Sequence, residues 1–183
     1  MWELAAGPFL AAAGLLVVAG VPKLIDPLPL VRALRAAGMP ANRYVVRGFA
    51  AGEVVIGLWA VVAPGRLVAL LVAAAYAVFT AFVARVLSRH GILGSCGCFG
   101  KPDTPATRTH LVLTAAASLV ALAIAVDPPT EVWSAIDGPT LVTAGYAAVI
   151  GFLAWQVMAV LPSVTPAAVR SATRGSARST TKG

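Results

Sequence analysis

The chain has 183 residues, 59% of them hydrophobic and only 11% charged, with a formal net charge of +7. Its mean hydropathy of +0.87 leaves too little polar surface for a soluble domain and identifies an integral membrane protein. The Lys and Arg residues fall between apolar runs and form no patch with interleaved aromatics, so nucleic-acid binding is excluded and the charge becomes a topology signal.

Runs of about 20 apolar residues, enough to cross the hydrocarbon core, predict helices over 4–22, 46–64, 66–87, 109–126 and 139–161. The first follows "MWEL", where Glu3 stands in place of the Lys or Arg of a secretory leader, so the run is read as a membrane helix and not as a cleaved signal. Lys23 and Asp26 lie at its inner end. In "LPLVRALRAAGMP" the apolar Leu30, Val31 and Leu34 recur at helical spacing with Arg32 and Arg35 on the other side. That pattern predicts a short helix lying in the interface, bracketed by Pro27 and Pro40.

The second span carries Glu53, about six residues past its inner end and so roughly 9 Å deep at 1.5 Å per residue. A buried carboxyl is expensive in a membrane and is a candidate functional group for that reason. It can accept or relay the proton released when a thiol becomes a thiolate. It can equally pair with Lys23, whose stem is long enough to reach it, and Lys23 can instead pair with Asp26; either pair would only fix helix packing. Tyr76, in the small-residue run "VAAAYAVF" of the third span, is expected to pack against neighbouring helices rather than to hold a quinone.

Both cysteines of the chain, Cys96 and Cys98, follow the third span in "ILGSCGCFGK". They flank Gly97, with Gly94 and Gly100 outside them, and glycine allows the sharp bend that a bridge between such close neighbours needs. A disulfide in so small a ring would be strained, easily reduced and of little value to stability, which suits exchange chemistry better than a structural staple. Two other readings stay open. His90 and His110 flank the segment and would complete a tetrahedral set with Cys96 and Cys98, although C-x-C is not the usual C-x2-C knuckle. The pair is also compatible with two small buried cysteines in a glycine turn. As plain interface residues, His90 and His110 sit beside arginines. The ten uncharged residues between His90 and Lys101 allow a re-entrant turn at the bilayer edge, covered by protein or reached by water.

Beyond the fourth span come the acidic stretch "DPPTEVWSAIDGP", the fifth span and the basic tail "PAAVRSATRGSARSTTKG". The tail is expected to lie disordered against an anionic inner leaflet. With the N-terminus outside, thirteen of the fourteen Lys and Arg fall on inner segments and Arg66 alone outside, a strong positive-inside bias. Trp2, Trp59 and Trp133 then form an outer aromatic belt. The expected organisation is a four-helix domain over 1–126, an extracytoplasmic loop over 127–138, a fifth helix over 139–161 and a cytoplasmic tail over 162–183.

"SCGCFG" after a third membrane helix resembles the MauE family of methylamine-utilisation membrane proteins, which belong with the DoxX-like four-helix proteins. "PKLIDP" is similar to the family's Lys-Leu-x-Asp-Pro signature, with Lys23, Asp26 and Pro27 in place, and "AAGMP" to its turn ending in Pro40. "AGEVVIGLW" matches the family's intramembrane glutamate at Glu53, followed by Gly57, and "TRTHL" its arginine, here Arg108, at the start of the fourth helix. The resemblance covers roughly residues 5–126. It implies a plasma-membrane protein in which Cys96 and Cys98 are a redox pair assisted by Glu53, with Gly97, Phe99, Gly100, Lys23, Asp26 and Arg108 in support. It also implies a thioredoxin-like partner and a role in maturing a disulfide-rich protein, in the family the small subunit of methylamine dehydrogenase. One cysteine pair cannot relay electrons across a bilayer through fixed thiols, so a loop reachable from both faces, a partner, or a quinone as candidate cofactor must complete the path.

Overall fold

The computed structural model describes residues 2–90, 107–128 and 138–160. The cysteine segment with Gly97, Phe99 and Gly100, most of the acidic stretch and the tail lie outside the described residues. Every described element is a helix: α1 (Trp2–Ile25), α2 (Leu28–Ala36), α3 (Arg43–Val62), α4 (Arg66–His90), α5 (Arg108–Val126) and α6 (Gly138–Trp155), the last running into a π-helical turn over Gln156–Val160. All but α2 are long and apolar enough to cross a membrane. The described residues form an all-α membrane bundle with five candidate spans.

Capping explains two boundaries that hydropathy misplaced. Helix α3 begins earlier than predicted because the Asn42 side chain accepts a hydrogen bond from the Tyr44 backbone N–H at 3.0 Å, the N-cap arrangement that satisfies an otherwise orphaned donor. Thr107 does the same for α5, its Oγ1 accepting from the His110 N–H at 3.3 Å. Helix α1 runs three residues past Pro22, where the apolar run was taken to stop.

Helix α2 lays its apolar side on the bundle, with Leu30, Val31 and Ala33 buried against Val46, Phe82 and Val86, while Arg32 and Arg35 stay exposed. It ends at Gly38, whose φ of 71° is the left-handed conformation that favours glycine. Gly38 N–H donates to the Arg35 carbonyl and Met39 N–H to the Leu34 carbonyl, both at 2.9 Å. That pair of bonds is a Schellman motif, the physical reason for "AAGMP". From α4, Arg85 Nε donates to the Ala37 carbonyl at 3.2 Å and pins the turn to the bundle.

The main core gathers Phe9, Leu16, Val68, Val72, Tyr76, Phe79 and Ile124 from α1, α4 and α5. Helix α1 packs along α3 and α6, and α4 packs along α5. The fifth span is therefore built into the bundle through α1, with a Cβ on Gly7 excluded by the Tyr146 ring. At the opposite end from α2, Arg66 Nε donates to the Ala125 carbonyl at 3.0 Å, meeting one of the last carbonyls of α5 that has no partner within its own helix.

Candidate functional site: a buried ion pair beside an apolar cleft

The start of α3 at Arg43 places Glu53 ten residues into a 20-residue helix, about 15 Å along the axis. The carboxyl is therefore deeper than the sequence suggested, at the middle of the span. Lys23 reaches Glu53, as the length of its stem allowed: its side chain is fully buried, and its Nζ lies 2.7 and 3.0 Å from the two oxygens of Glu53. Of the pairings open in the sequence, the structure contains Lys23 with Glu53. Asp26 is exposed, and its Oδ1 instead accepts from the Leu28 N–H at 3.0 Å, turning the chain into α2.

Two glycines allow this pair to form. A Cβ on Gly20 would lie 2.7 Å from Val54 Cγ2 and 3.0 Å from the Ala50 carbonyl oxygen, and one on Gly57 would lie 2.7 Å from the Ala13 carbonyl oxygen. Gly20 is one turn from Lys23 and Gly57 one turn from Glu53, so the close crossing of α1 and α3 brings the charges together. Phe79 of α4 completes the setting, its ring centroid 4.3 Å from Lys23 Nζ, within cation–π range. Phe49 holds that ring edge-on at 6.0 Å.

His110 is buried, not interfacial. Its Nε2 lies 3.0 Å from the Met158 carbonyl oxygen in the π turn, and a carbonyl only accepts, so Nε2 carries a proton. Its Nδ1 is 2.8 Å from Thr107 Oγ1. Both ring nitrogens are engaged, and a metal-ligand role for His110 requires giving one of these bonds up. Among the described residues there is no group of three or more His, Cys, Asp or Glu placed to hold a metal ion. Arg108 is exposed at the start of α5.

The sequence reading missed a polar ladder between α4 and α5. Thr114 Oγ1 donates to the His110 carbonyl at 2.8 Å and meets Thr80 Oγ1 at 3.0 Å. Ser118 donates to the Ala73 carbonyl at 3.0 Å. His110, Thr114 and Ser118 recur every four residues in an otherwise apolar helix, a signal visible in "HLVLTAAAS". Tyr76 packs as expected, and its hydroxyl donates to the Ala12 carbonyl at 2.7 Å.

A cleft of about 170 Å³ lies beside this ladder, walled by α1, α4, α5 and α6. Small side chains such as Ala12, Ala117 and Ala154 leave the space, and Tyr76, Phe79 and His110 line it too. Helices α5 and α6 do not pack along their lengths; they are joined at the His110–Met158 end. Phe79 thus separates the cleft from the ion pair.

No curated protein and no solved structure matches the chain. The sequence model of the family described as methylamine utilisation protein MauE matches residues 1–127, a stretch that contains Lys23, Glu53, the cysteine pair and His110. This multi-pass membrane protein belongs to the MauE family.

Proposed function

We propose that the chain is a membrane thiol/disulfide exchange protein in which Cys96 and Cys98 trade electrons with a thioredoxin-like partner. By this exchange it would support disulfide formation during the maturation of another protein. The observation that carries the reading is the placement of both cysteines in one glycine-bounded C-x-C-F-G element inside the family-matched region. Such a pair favours a labile bond over a structural one. The Lys23–Glu53 pair supports the reading indirectly, since it joins α1 to α3 in the same bundle as α4 and α5, the helices that flank the cysteine segment in sequence.

The test is labelling of Cys96 and Cys98 by a membrane-impermeant thiol reagent, in intact and in opened cells, before and after mild reduction. Labelling that appears only after reduction is the expected result and also names the face from which a partner reaches the pair. Thiols that label without reduction would overturn the reading. Thiols blocked until a chelator is added would replace it with metal binding.

A further inference from the structure

We propose that the recess at the junction of α2 and α3 holds the phosphate of an anionic phospholipid. The recess has a volume of about 380 Å³ and is lined by Leu28, Val31, Arg35, Ala41, Asn42 and Arg43. Helix α1 has just ended at Ile25 and α3 begins at Arg43, so it lies at the depth where two candidate spans leave the hydrocarbon and lipid headgroups begin.

Both guanidinium groups of the recess are held in place without being neutralised. Arg35 donates from Nε and Nη2 to the Ala41 carbonyl at 3.3 and 3.1 Å, which fixes its plane across the turn and leaves Nη1 to donate elsewhere. Arg43 donates from Nη2 to the Tyr44 hydroxyl at 2.7 Å, with its guanidinium carbon 4.7 Å from the Tyr44 ring centroid. Asn42 spends its Oδ1 on the Tyr44 N–H, so its Nδ2 is the end left to donate. Nearby carboxylates are committed elsewhere, Asp26 Oδ1 to the Leu28 N–H and Glu53 to Lys23. Among the described residues, Arg35 and Arg43 form no ion pair. Planar guanidinium groups match the geometry of phosphate oxygens, and fixing those groups beforehand lowers the ordering cost of binding.

The other walls choose the source of the phosphate. Leu28 and Val31 are apolar, and Leu28 is exposed, as is Ile25 three residues before it. A free phosphate gains nothing from such surface, whereas the glycerol and first acyl carbons of a lipid cover it. Positive charge beside exposed apolar side chains at headgroup depth fits an anionic phospholipid. The assignment goes beyond the thiol reading and needs no cysteine.

The full-length protein in a non-ionic detergent is titrated with dioctanoylphosphatidylglycerol, and bound lipid is read by native mass spectrometry. Saturable binding is expected, about tenfold tighter than that of dioctanoylphosphatidylcholine, whose choline cancels the phosphate charge. Arg43→Gln should weaken it about tenfold, and Arg35→Gln at least as much. Arg43 bonds its neighbour Tyr44 and not the turn, so its variant reports on binding even if loss of Arg35 disturbs α2. Arg32→Gln removes the same charge from α2 outside the recess and should bind like the parent. Equal binding of the two lipids, or binding undiminished by Arg43→Gln, would overturn the site. An equal loss in Arg32→Gln would overturn it too, as attraction by net charge alone. Competition by inorganic phosphate at matched ionic strength would overturn the lipid and leave a site for soluble anions.

Discussion

An ammonium and a carboxylate buried in hydrocarbon are each expensive, and the geometry of Lys23 and Glu53 shows how the cost is met. Both carboxylate oxygens lie within 3.0 Å of Nζ, and the Phe79 ring supplies a further electrostatic contact. Removing one partner strands the other, which typically costs about 3–5 kcal/mol for a buried pair. Lys23→Met should therefore lower thermal stability sharply in detergent, while Lys23→Met combined with Glu53→Leu should recover most of the loss. A double variant no more stable than the single one would show that the pair does more than cancel charge. Glu53→Gln keeps an oxygen facing the ammonium and should cost less than Lys23→Met. If Gln also slows cysteine oxidation in well-folded protein, Glu53 relays a proton; if folding alone suffers, it packs. The pairing was within reach of the sequence because two opposite charges in apolar runs have few other partners. Phe79 and the engagement of His110 were not, since a Phe among apolar residues carries no sign of what it faces. The position of His110 next to Arg108 suggested an interface, and only the N-cap at Thr107, which starts the helix just before it, turns it inward.

At the scale of elements, the crossing of α1 and α3 depends on missing side chains. Gly57→Ala would put a methyl group 2.7 Å from the Ala13 carbonyl oxygen and from Val17 Cγ2, and overpacking of this kind costs about 1–3 kcal/mol. Gly48 and Gly52, on the same helix, have nothing within 4 Å of such a methyl group. Gly48→Ala and Gly52→Ala should leave stability unchanged or raise it by about 0.5–1 kcal/mol through helix propensity. Thermal unfolding of the three variants side by side checks the contrast; equal behaviour would mean that α1 and α3 do not cross as closely as described. Gly38→Ala tests the end of α2, since a Cβ at positive φ costs about 1–2 kcal/mol. That loss should appear as lower stability without any change in the α1–α3 contact. The spans themselves were legible as charge-free runs, and the amphipathic period gave α2. The first span was cut short because Lys23 ended the apolar run, and the partner that keeps this charge inside the span comes from a helix 30 residues away in sequence.

For the whole molecule, five spans constrain topology without any appeal to charge. Counting from α1, the ends of α1, α4 and α6 and the starts of α3 and α5 fall on one face, together with α2. The α3–α4 turn at Gly65 and the end of α5 fall on the other. The contact of His110, near the start of α5, with Met158, near the end of α6, agrees with this alternation because it brings together the two helix ends nearest the α2 face. Among the described residues the exposed Arg32, Arg35, Arg43, Arg47 and Arg108 lie on the α2 face and Arg66 on the other, and the positive-inside rule predicts that a face so charged is cytoplasmic. A reporter active only outside the membrane should accordingly be silent when fused after Gly183 and active when inserted after Gly65. The impermeant reagent should then reach Cys96 and Cys98 only in opened cells. If the tail reads cytoplasmic while the cysteines label from outside, the cysteine segment must pass to the far face between α4 and α5. Electrons taken up by the pair would then cross the bilayer by movement of that segment.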